Sequence, residues 1–171
     1  MGEPDGFREF VLTRSPVMLR TALMLTGQRA SAEDLVQTTL LKVWHRWESI
    51  TPGAQEAYSR RVLITTFLRW RRRRWQGETP VQRMPDVASG ADDFAAADTR
   101  AAVREALGRL PARQRAVILL RYVNDLSEAD TAQAMNCSVG TVKSQTSRAL
   151  ANLRRSSLRH LFSEESSDDL C

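Results

Sequence analysis

Residues 124–155 read NDLSEADTAQAMNCSVGTVKSQTSRALANLRR. Ser127 and Asp130 have the S-x-x-D spacing of a helix start. A short helix is expected from there to about Met135. Asn136-Cys137-Ser138 then reads as a turn, with Ser138 able to cap the helix that follows. In that last helix Val142, Thr146, Ala149, Leu150 and Leu153 fall on one face. Lys143, Ser144, Ser147, Arg148 and Arg155 fall largely elsewhere. A short helix, a three-to-four-residue turn and a longer helix with a polar outer face make a helix-turn-helix.

In a helix-turn-helix the second helix enters the DNA major groove with its first residues at base edges. Lys143 and Arg148 can donate to guanine O6 and N7 or to phosphate. Ser144, Gln145 and Ser147 are shorter readers of base edges or backbone. Ser138 and Thr141, at the helix start, lie beside N–H groups free to hold a phosphate. An ordinary helical hairpin with a solvated basic face would carry the same residues, so the pattern alone leaves both readings open.

Upstream, LPARQRAVILLRY (110–122) places Pro111 where a first helical turn accepts it. A further helix is expected over about 101–107. Residues 76–99 contain two Pro, two Gly and five acids without a sustained apolar period, and read as a linker. Twenty-four residues could stretch to at most ~80 Å. The chain therefore divides into a module over 7–75, a linker over 76–99, a module over 100–160 and a tail over 161–171. Charge follows the same division. Residues 1–75 carry 13 basic and 7 acidic side chains, and 100–160 carry 11 and 4. The linker carries 1 and 5, and the tail 0 and 4. Two basic modules point to a polyanionic partner.

The first module also reads as helical. One helix is expected over 16–25, with Pro16 at its start and Gly27 as its stop. In RASAEDLVQTTLLKVWHRW (29–47), Ser31 and Asp34 repeat the capping spacing. Val36, Leu40, Val43, Trp44 and Trp47 form one apolar stripe, with both Trp assigned to the core. Asp34, Gln37 and Leu41 lie off that stripe, and a leucine among polar neighbours suits a protein interface. A third helix runs over about 55–75 on Leu63, Phe67 and Trp70. It ends in FLRWRRRRW (67–75). Residues 60–75 hold seven arginines and no acid, the strongest electrostatic footprint in the chain. Arginines bind phosphate and aromatic faces stack on bases. No stretch alternates convincingly as a strand, so the fold expected is all-α: two small helical domains joined by an extended linker.

Several functions find no support. The chain lacks clustered carboxylates, a His/Cys metal site and a phosphate-binding glycine loop. No catalytic residue, metal or cofactor is therefore expected. Cys137 and Cys171 give no disulfide framework. No apolar run approaches the ~20 residues that span a bilayer, and the expected compartment is the cytoplasm.

The ordered pair AEDLVQTTLLKVWHRW (32–47) and LPARQRAVILLRYVNDLSEADTAQAMNCSVGTVKSQTSRALANLR (110–154) resembles the two-domain extracytoplasmic-function sigma factors of bacterial RNA polymerase, within the sigma-70 superfamily. The resemblance implies that the 7–75 module is region 2 and the 100–160 module region 4. Region 2 would hold the β′ clamp helices through the 32–47 helix, making Asp34, Gln37 and Leu41 the candidate contacts. It would also read and melt the −10 element through Tyr58, Arg60 and Arg61. Of Arg71, Arg72, Arg73 and Arg74, two would contact phosphate and the others would be solvated. Region 4 would hold the β flap and read the −35 element through Ser138, Thr141, Lys143, Ser144, Gln145, Ser147 and Arg148. Gln145 stands where many members have arginine. The linker would extend toward the active-site cleft, and an anti-sigma protein becomes a candidate partner. The competing reading is a helix-turn-helix regulator that binds duplex DNA without polymerase.

Overall fold

Apolar spacing in this sequence builds helices from nearly every segment. The computed structural model describes residues 4–77 and 94–165, with side chains described for 4–73 and 101–156. Among the described residues all regular structure is helical: α1 (Phe7–Thr26), α2 (Arg29–Trp44), α3 (Gln55–Gly77), α4 (Phe94–Gly108), α5 (Ala112–Ile118), α6 (Glu128–Met135) and α7 (Val139–Glu165). A 3₁₀ turn spans Trp47–Ser49, and a π turn, Leu119–Val123, extends α5.

α1 begins nine residues before the expected start at Pro16. Pro16 is inside the helix, on its exposed side. An internal proline costs roughly 3 kcal/mol. Packing of the first turns offsets it: Phe7 is buried edge-on against Trp44 and Trp47, at centroid distances of 4.9 and 5.1 Å. Phe7, Val43 and Ile50 form a small core there, with Trp44, Trp47 and Tyr58 half-buried around it. Both tryptophans are thus packing residues, although α2 stops at Trp44 and Trp47 belongs to the 3₁₀ turn. Gly27 ends α1 as expected, in the left-handed conformation at φ 74°, its N–H on Leu23 O.

The Ser31–Asp34 capping box does not form. α2 starts at Arg29 after an extended Gln28, and Ser31 Oγ donates to Gln28 Oε1 instead. An Arg29–Glu33 pair of 2.8 Å and complete burial of Ala32 and Leu35 carry the helix start past Ser31.

In the second module the helix expected over 101–107 begins at Phe94, so residues 94–99 of the presumed linker are helical. Pro111 is the residue before α5. α6 and α7 take the expected course. Asn136, at φ 52°, supplies the left-handed turn between them. The sequence does not foretell that the two modules share one core. Leu25, Leu35, Ile64 and Phe67 of α1–α3 join Val117, Leu119, Leu120 and Val142 of the second module in a single buried cluster. α3 packs on α6 and α5, and α1 on α4 and α5.

Candidate nucleic-acid interface

The helix-turn-helix is held by its own polar side chains. Ser127 Oγ accepts from the Asp130 N–H at 3.0 Å and donates to the Asp130 carboxylate at 2.6 Å, which fixes the start of α6. The Cys137 N–H reaches Ala132 O and closes the turn. Ser138 Oγ accepts from the Thr141 N–H at 3.1 Å, and the two hydroxyls lie 2.9 Å apart. A cap of this kind contributes about 1 kcal/mol. Val142 and Ala149 are fully buried beneath α7. Their burial turns Lys143, Ser144, Ser147 and Arg148 outward, and all four are exposed on one face. Thr141 and Gln145 are half-buried at the margin of that face. Ser144 Oγ donates to Thr141 O, and Lys143 Nζ lies 3.7 Å from Glu128 of α6. Glu128 was not singled out in the sequence because only the turn brings it beside Lys143.

The residues selected on α3 divide into two groups. Tyr58 is half-buried on the small core, and Arg60 is held at 2.9 Å by Glu56, which also pairs with Arg14 at 2.8 Å. Arg61 is exposed, and its Nη2 donates to Asn136 Oδ1 at 3.0 Å, across the two modules. Arg71, Arg72 and Arg73 are exposed beyond the core, while the Arg74 side chain lies outside the described residues. Successive residues are about 100° apart on a helix, so these arginines point around it. Arg61 and Arg72, eleven residues apart, return to the same side within about 20°. Arg69 is exposed on this ridge too and completes a row of three cations. It was missed in the sequence reading, although the 61, 65, 69, 72 spacing is legible there. Trp70 is half-buried against the core, a packing role.

Asp34, Gln37 and Leu41 come together as one exposed stripe on α2, with Leu41 63% exposed. Ala32, Leu35, Val36, Thr39 and Val43 are buried on the opposite side. Lys42, beside that stripe, donates to Thr66 Oγ1 at 2.8 Å and ties α2 to α3. Partial burial lowers its pKa, and the Arg69 charge lowers it further. Burial raises the Cys137 thiol pKa, against a smaller downward pull from Arg113. Among the described residues no group of His, Cys, Asp and Glu is placed to hold a metal ion, and no helix is long and apolar enough to cross a membrane.

Residues 10–77 match sigma-70 region 2, and residues 100–153 match sigma-70 region 4. The RNA polymerase sigma-E factor of Streptomyces avermitilis is 40% identical over 90% of this chain and 86% of its own length. The chain belongs to the ECF sigma factors of the sigma-70 family. The ECF RNA polymerase sigma factor SigL of Mycobacterium tuberculosis is 37% identical over 81% of both chains. Among solved structures, the sigma factor RpoE of Bartonella quintana, in complex with the anti-sigma factor NepR, aligns at a TM-score of 0.68 and 28% identity. That alignment covers 89% of this chain and 96% of RpoE. The resemblance read from 32–47 and 110–154 is therefore the right one, and a polymerase-independent regulator is not favoured. This sigma factor pairs a region 2 bundle with a region 4 helix-turn-helix, the division that directs RNA polymerase to promoters.

Proposed function

We propose that this sigma factor splits promoter recognition between the exposed faces of α7 and α3, while the α2 stripe holds the polymerase. Lys143, Ser144, Ser147 and Arg148 meet the −35 element, with Ser138 and Thr141 fixing the helix end against a phosphate. Gln145, at the margin, tunes that preference. On α3 the ridge of Arg61, Arg69 and Arg72 tracks the −10 strand. Tyr58, at the edge of the small core, offers the exposed part of its ring for stacking. Arg60, held by Glu56, is a bracing residue for that segment. Opening costs about 1.4 kcal/mol per base-pair step, and stacking of ~1–3 kcal/mol per base together with phosphate contacts offsets it. Asp34, Gln37 and Leu41 contact the β′ clamp helices, and region 4 contacts the β flap. The protein performs no reaction itself; the polymerase does the chemistry, in the cytoplasm. An anti-sigma protein, as bound to RpoE of B. quintana, is a partner to seek.

The observation that carries this reading is the capped α7, with its apolar side buried and its Lys143–Arg148 side exposed, in one chain with the arginine ridge of α3. Sequencing of transcripts made in vitro from genomic DNA by core polymerase plus this protein tests it. Discrete start sites sharing two upstream elements are expected. Transcripts no different from those of core enzyme alone would refute it.

A further inference from the structure

The two cations of the −35 reader have different surroundings. Lys143 and Arg148 are five residues apart on α7, so they stand about 140° apart around it and flank the exposed face. Buried Val142 fixes the first and buried Ala149 the second. Lys143 Nζ lies 3.7 Å from Glu128 Oε2 of α6. Arg148 forms no ion pair among the described residues. Glu128 is the first residue of α6, directly after the Ser127 cap. Asp130, the other acid of that turn, is taken up by Ser127 Oγ at 2.6 Å. The side chains of Lys143 and Glu128 are 64% and 41% exposed, so DNA can reach the pair.

A carboxylate at this place works against affinity. Phosphate contacts dominate DNA binding, and the first helix of a helix-turn-helix crosses the phosphate backbone. What Glu128 changes is the choice open to Lys143. An ammonium has three donors. Lys143 can keep Glu128 and still donate to O6 or N7 of guanine, which are neutral acceptors. Donating to a phosphate instead brings a second anion beside the carboxylate, and like charges a few Å apart repel.

We infer that Glu128 is a specificity-determining residue of the −35 reader: it guards Lys143 from phosphate and reserves it for guanine. Glu128 is a positioning residue, acting through the Lys143 ammonium. The inference rests on the −35 assignment of α7 for the base it selects; the guarding of Lys143 is a property of the pair itself.

Two measurements test it. In the first, core polymerase with the full chain transcribes a promoter library randomised through the −35 element, and the transcripts are sequenced. Glu128→Gln keeps the side-chain shape and removes the charge. It should cut the guanine preference at one −35 position by about three-fold or more and leave the −10 preferences unchanged. Lys143→Ala should lose the preference at the same position, and the double variant should lose no more. In the second, the full chain without polymerase binds a random-sequence duplex across a salt series, read by fluorescence anisotropy. Glu128→Gln should bind about two- to five-fold tighter. Its slope of log affinity against log salt should steepen by ~0.9, the value for one further phosphate. In a Lys143→Ala background the same substitution should leave the slope unchanged.

An unchanged base profile overturns the role in specificity, and an unchanged slope overturns the guarding of Lys143. Weaker binding to every duplex, with the same slope and a lower melting midpoint, reduces Glu128 to a starter of α6 and overturns both. A wild-type chain that directs no transcription, while Glu128→Gln still steepens the slope, would sink the promoter-reading assignment and leave the guard standing.

Discussion

Replacing Arg115 by methionine removes one buried cation and leaves three carbonyls without it: Leu25 O, Gly108 O and Leu110 O. A hydrogen bond from a charged donor contributes about 1.5–3 kcal/mol, so the three sum to ~5–9 kcal/mol. Methionine relieves the desolvation of the guanidinium, several kcal/mol in a site this buried. The net loss expected is ~2–4 kcal/mol. Unfolding entropy near 2.1 cal/mol/K per residue gives ~0.36 kcal/mol/K for 171 residues. The midpoint should therefore fall by about 6–11 °C. The assay is thermal unfolding of the full chain followed by circular dichroism and calorimetry. Because one acceptor belongs to α1 and two to region 4, the transition should also broaden or split as the modules uncouple. Arg115→Lys should recover little, since an ammonium lacks the planar fork that serves several carbonyls together. A fall under 3 °C, with a single sharp transition, would refute the reasoning.

Three further outcomes are expected. Ser138→Ala should cost about 1 kcal/mol of helix-end stability and roughly five-fold in affinity for a −35 duplex, read by fluorescence anisotropy. Leu41→Asp should leave the melting midpoint within the equivalent of ~0.5 kcal/mol, because the side chain is exposed. The same variant should weaken core polymerase binding at least ten-fold in a labelled-sigma titration. In a Cys171→Ser background, alkylation of Cys137 should have a pH midpoint above that of an ordinary thiol, because burial raises its pKa. The linked sign is a stability loss. As pH rises past the ordinary thiol value, the unfolded thiol ionises first, and stability falls until the folded thiol ionises too. A midpoint at or below the ordinary value would contradict the burial.

The parts of this fold legible in the sequence are those decided within one or two turns of chain. The caps at Ser127 and Ser138 are local hydrogen bonds between residues three apart, and both form. The stop at Gly27 is a single-residue conformational preference, and it holds. Asp34, Gln37 and Leu41 follow from helical spacing alone and do emerge on one face. The failures are at places where distant packing outweighs local preference. Pro16 looked like a helix start until Phe7, thirty-seven residues from Trp44, found an aromatic cradle. Ser31 has the spacing of a cap, yet burial of Ala32 commits the preceding residues to the helix. Arg115 and Asn136 gave no sequence signal as contacts between the modules, because their partners, Leu25 and Arg61, are ninety and seventy-five residues away.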